Sequence, residues 1–237
     1  MIRAFIAMIC LQLSTHAQIS IYSNTPGAGW TPVTDIIDEN GNPIGDTVSS
    51  DGPQAGIFHF LMGSGAWVGY SRSPLIPLDR IEYWALGPST PDPSFGINIL
   101  GGAIISLEAE WAGYAPDNIV GFRTLTNPGT AIELFAGADT AGATTVIPSG
   151  TVYMYLTSPS GTFDSEFGGT LQNVFVARDR NNPGVMYLGF EDLWDSRRDG
   201  DQQDFVARLE HVPEPSTYGA TGFLIIVGGL WVARRRG

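Results

Sequence analysis

From residue 57 to residue 211 the chain alternates short apolar, aromatic-rich runs with clusters of Gly, Pro, Asn, Asp and Ser. "GIFHFLMGSGAWVGYS" holds two such runs around Gly63-Ser64-Gly65, a hairpin pattern that puts His59 on one strand face with Ile57 and Leu61. "RIEYWAL", "GINILGGAIISLEAEW", "NIVGFRTL", "TAIELFAG", "TVYMYLTS", "TLQNVFVARD", "VMYLGFED" and "DFVARLEHV" follow. None sustains a 3.6-residue period over a dozen positions. Many short strands at this spacing predict an all-β fold, an antiparallel β-sandwich or jelly roll. The 237 residues accommodate one large domain of that kind or two small ones. No repeat of fixed period is present. The stretch Gly87-Pro88 to Pro93 is the best long loop, a break between sheets or between domains.

The two ends break this pattern. At the N-terminus Arg3 precedes an apolar run, Ala4 to Leu13, and Thr15-His16-Ala17 places small residues before Gln18. Charge, run length and cleavage chemistry predict a signal peptide over residues 1–17, removed on export. The only cysteine, Cys10, lies inside it, so the exported chain has no disulfide and no thiolate nucleophile. At the C-terminus the 17 residues 217–233 carry no charge. As a helix they span about 25 Å, enough for a short transmembrane segment. Arg234, Arg235 and Arg236 follow and hold that end on the cytoplasmic side. The body, residues 18–211, is thereby placed outside the cytoplasmic membrane.

Val212-Pro213-Glu214-Pro215-Ser216, then the Gly-containing apolar segment, then the arginine cluster, resembles the PEP-CTERM sorting signal of Gram-negative bacteria, here covering residues 212–237. The resemblance implies recognition by the membrane protease-transpeptidase exosortase and a producer that makes exopolysaccharide. Pro213 and Pro215 keep the motif extended, which suits a processing enzyme. The tail is then an address label and a temporary membrane anchor, in the manner of other removed hydrophobic tails.

Composition narrows what the body does. There is no lysine; 12 arginines face 24 acidic residues, a net charge of −12. That argues against nucleic acid and anionic membrane as partners for the body, and it is compatible with cation binding. The acids are densest at Glu191, Asp192, Asp195, Asp199, Asp201 and Asp204, six carboxylates within fourteen positions. Closely spaced Asp side chains supply the oxygen ligands Ca²⁺ requires, although the spacing is not that of an EF-hand, and a solvated acidic turn has the same composition. Residues 128–211 also resemble an exported bacterial domain of unknown function found upstream of PEP-CTERM signals. Gly189-Phe190-Glu191-Asp192 matches its first motif, and Asp199, Asp201 and Asp204 match the acids of its second. Gln202 and Gln203 depart from that second motif.

Catalytic constellations are sparse. Beyond the signal peptide only His59 and His211 remain as imidazole bases. Glu108 and Glu110, two residues apart, share a face on a regular strand and form the weak basis of a glycoside hydrolase reading. Trp30, Trp67, Trp84, Trp111 and Trp194, with Tyr70 and Tyr83, serve either as core or as sugar-binding platforms. The expectation is a non-enzymatic, exported structural or adhesive protein near exopolysaccharide. A carbohydrate-binding module is the alternative, and a glycosidase the third reading.

Overall fold

A computed structural model describes residues 19–23, 26–33, 57, 60–61, 75–85, 95–110, 115–137, 139–159, 161–165, 174–190 and 205–212. Their thirteen strands form two antiparallel sheets. The smaller sheet runs β1 (Ile19–Ser23), β4 (Phe95–Ile99), β9 (Gly150–Ser158), β6 (Ile119–Thr124), β7 (Asn127–Ala136), with β10 (Gly161–Asp164) also on β9. The larger runs β2 (Gly29–Pro32), β3 (Ile81–Ala85), β11 (Val174–Asp179), β12 (Asn182–Phe190), β13 (Phe205–His211), β5 (Ala103–Glu110), β8 (Thr144–Ile147). The all-β expectation holds, and the architecture is a β-sandwich. "GINILGGAIISLEAEW" divides into two strands in different sheets, because Gly101 and Gly102, both at positive φ, turn the chain through a corner between them.

Strand alternation builds the core. Ile97, Ile99, Val120, Phe122, Val152, Met154 and Leu156 from the smaller sheet meet Ile105, Leu107, Val176, Met186, Leu188, Phe190 and Leu209 from the larger one. The larger sheet is buried on its other face as well. There Phe175, Ala177, Val185, Tyr187 and Val206 pack under Val33, Ile57, Phe60, Leu61 and Ile76. This double burial explains why "VMYLGF" reads as an unbroken apolar run: Val185 to Phe190 are all buried.

The covering layer corrects one expectation. Ile57, Phe60 and Leu61 are helical rather than extended, and all three are buried. Their spacing of three and four residues lays them on one helix face, whereas a strand would have paired Ile57 with Leu61 through His59. His59 itself lies outside the described residues. β2, β8 and β10 carry too few apolar residues to stand out in the sequence, and β1, Ile19–Ser23, is not separable there from the expected processing site beside it. Among the described residues no helix is long and apolar enough to cross a membrane.

The register defines two poles. Ile19 pairs with Ile99, Gly150 with Ile99, and Ala103 with both Ile147 and His211, so all of these lie at one end. Tight turns close that end: 100–102, 125–126, 148–149 and 180–181. Phe190 pairs with Phe205, and Phe205 with Glu110, at the opposite end.

Candidate functional site

The point where the folded chain stops is well built. β13 ends at His211, and the next residue, Val212, donates its N–H to the Gly102 carbonyl at 3.2 Å. The His211 Nε2 lies 2.7 Å from the Leu100 carbonyl oxygen, a hydrogen bond made by the tautomer with that nitrogen protonated. Ser149 clamps the neighbouring corner. Its hydroxyl donates to the Ile99 carbonyl at 3.1 Å and accepts the Gly101 N–H at 3.2 Å. The exit is therefore held by hydrogen bonds from the turns 100–102 and 148–149, and Pro213 follows immediately. The sorting residues Pro213, Glu214 and Pro215, and Arg234, Arg235 and Arg236, lie outside the described residues.

The six acidic candidates Glu191, Asp192, Asp195, Asp199, Asp201 and Asp204 also lie outside them. Their attachment points do not: the segment leaves β12 at Phe190 and enters β13 at Phe205, two residues paired with each other. The acids thus start and finish at the pole opposite the chain's exit. Among the described residues no group of three or more His, Cys, Asp and Glu side chains is placed to hold a metal ion.

The glycosidase pair meets a geometric obstacle. A β-bulge separates Ala207, opposite Leu107, from Val206, opposite Ala109. Leu107 faces the inter-sheet core and Ala109 the outer one, so alternation flips across Glu108. Glu108 and Glu110 are consequently not the plain same-face pair that their spacing predicts.

Two of the tryptophans form a mixed cluster at the β2–β3 edge. Trp30 and Trp84 are register partners, with ring centroids 5.3 Å apart and nearly perpendicular. The Arg178 guanidinium lies 3.9 Å from the Trp30 ring centroid, and its Nε donates to Glu82 Oε2 at 3.1 Å. Trp30 therefore carries a cation on its ring and is no bare platform; the pair borders the inter-sheet core. The Trp84 Nε1 is buried with no hydrogen-bond partner. On the other side of the same strands Arg80 makes a two-pronged ion pair with Asp179, whose Oδ1 also accepts the Asn181 N–H at 2.8 Å. The hydrogen bond to Asp179 raises the Arg80 pKa above its ordinary value, against the lowering effect of burial. Tyr83 stacks on Phe175 in the outer core. Trp67, Tyr70, Trp111 and Trp194 lie outside the described residues.

The Arg178–Glu82 and Arg80–Asp179 pairs were not foreseen. The signal available was the repeated acid–base alternation in "LDRIE" and "ARDR". Only the β3–β11 register, Arg178 to Glu82, brings the two stretches together. Comparison with protein-family models, with curated proteins and with solved structures finds no match to this chain.

Proposed function

We propose that the chain is an exported structural or adhesive β-protein, tethered at first to the cytoplasmic membrane by residues 217–233 and then released or transferred by exosortase to the outer envelope or an exopolysaccharide matrix. The observation that carries this reading is the order along the chain: basic residue and apolar run, small-residue cleavage site, β-body, Pro-Glu-Pro, uncharged segment, three arginines. The fold supports it in one respect. The first strand begins at Ile19, just beyond Gln18, and the last ends at His211, just before the Pro-Glu-Pro motif. Cutting at either end removes none of the described strands. The acidic segment, on this reading, takes Ca²⁺ from the extracellular medium.

Intact mass of the exported protein, recovered from a host with an active sorting protease, tests the proposal. The expected product begins near Gln18 and lacks Arg234 to Arg236. Recovery of a product that still carries the three arginines overturns the address-label reading.

A further inference from the structure

Both termini of the folded body emerge at one pole, and that pole is chemically unlike the rest of an acidic protein. Ile19 and His211 lie there, beside four turns, of which 100–102, 125–126 and 148–149 contain no charged residue and 180–181 carries Arg180. Leu100 and Leu125, at the tips of two of these turns, are 48% and 50% exposed. Ile104 and Val146, paired with each other one step inside the same pole, are also exposed. Four of the seven large apolar side chains that stand exposed among the described residues are thus gathered at one end. Leu125 is held in place by its own N–H, which donates to the Thr151 carbonyl at 2.9 Å. Leu100 sits in the corner locked by Ser149 and His211. The backbone at both positions is fixed by hydrogen bonds, and about half of each leucine stands exposed.

We infer that this pole rests in the interfacial layer of the lipid bilayer, with Leu100 and Leu125 inserted among the headgroups. The inference rests on the proposed membrane insertion of residues 217–233. From Val212 to Thr217 is five residue steps, which reach at most about 18 Å. An inserted tail therefore confines the exit pole to the membrane surface, and the signal peptide, before its removal, leads into the same bilayer from Ile19. An apolar tip then gains by burial what a charged tip would lose by desolvation. Charge placement agrees. The charged residues nearest this pole do not add to the acidity of the chain: Arg80, Arg123, Arg178, Arg180 and Arg208 stand against Asp79, Glu82, Asp179 and Glu210, with Arg208 ion-paired to the exposed Glu210 beside Ile104. The segment holding the six clustered acids departs from the far pole, away from anionic lipid.

The test uses the full chain with Cys10→Ser, reconstituted in vesicles of phosphatidylethanolamine and phosphatidylglycerol. Single cysteines replace Leu100, Leu125, Asp117 or Leu224 and carry an environment-sensitive fluorophore. Asp117, exposed and just before Ile119 of β6, marks the far pole, and Leu224 marks the tail. The expected result is blue-shifted emission at positions 100 and 125, with several-fold stronger quenching by lipids spin-labelled near the headgroup than at 117. Labels at 100 and 125 as water-exposed as the label at 117, while the label at 224 reports hydrocarbon, overturn the pole inference and leave the tail reading intact. A label at 224 that reports water overturns both.

Discussion

Gly121 occupies a position that no other residue fits. It pairs with Tyr155 on β9, and a Cβ built on it would collide with the Tyr155 ring and with the Ile132 carbonyl. Gly121→Ala is expected to destabilise the protein by about 1–3 kcal/mol, the range for overpacking, as read by urea unfolding. Adding Tyr155→Ala should not restore stability, because the clash with backbone at Ile132 persists. Glu82 and Arg178 give a second residue-scale expectation. Their side chains are only 12% and 21% exposed, and the guanidinium also stacks on Trp30. A double-mutant cycle with Glu82→Gln and Arg178→Met should yield a coupling of about 1 kcal/mol, above that of most exposed pairs. Additive single effects would show that the pair is only a neighbourly contact. The charged residues were visible in the sequence, but their partners were not. Arg178 and Glu82 are 96 positions apart, and no local pattern links them.

At the scale of elements, β12 distinguishes this sandwich from one with a solvated outer face. Leu188 belongs to the inter-sheet core and Tyr187 to the outer cluster. Leu188→Ala and Tyr187→Ala are each expected to cost about 2–5 kcal/mol, measured by chemical denaturation. A strand with one wet face would lose that much on one side only. Phe60→Ala, in the helical cover, should cost about 3–5 kcal/mol for the same reason. A cost below 1 kcal/mol there would mean that the cover is dispensable. The strands β3, β6, β9, β11, β12 and β13 were legible because their apolar runs are long enough to stand out against polar turns. The helical face of Ile57, Phe60 and Leu61 was misread because an apolar run this short, interrupted by glycine, satisfies both a period of two and a period of 3.6. What decided between them was the need to cover the second face of the larger sheet.

Among the described residues the arrangement is polar: both termini, three uncharged turns and exposed leucines at one end, the attachment points of the acidic segment at the other. If that segment binds Ca²⁺ with the weak affinity of extracellular sites, a dissociation constant of roughly 10⁻⁴ to 10⁻³ M, then calcium at ~10 times that constant stabilises the fold by about 1.4 kcal/mol. The expected rise in melting temperature is about 3–6 °C for a body of this size. Asp199→Asn with Asp201→Asn should abolish the rise, and Mg²⁺ should produce less of it, since it resists dehydration. An unchanged melting temperature, or an equal shift in the double variant, identifies the acids as a solvated segment.

The sequence by itself determined the all-β fold class, and it set the expectation of where the body begins and ends. Both follow from local chemistry: the length of apolar runs, the residues that interrupt them, and the order of charge and apolarity at the termini. The β-sandwich and the proximity of Ile19 and His211 to the expected processing sites needed no knowledge of long-range contacts. Tertiary structure alone decided the rest. Register placed both termini at one pole, joined Arg178 to Glu82, and introduced the bulge that separates Glu108 from Glu110. It also buried the larger sheet twice. These are properties of strand pairing, in which a shift of one residue exchanges the two faces of a strand, and the energy that selects one register comes from side chains far apart in the chain.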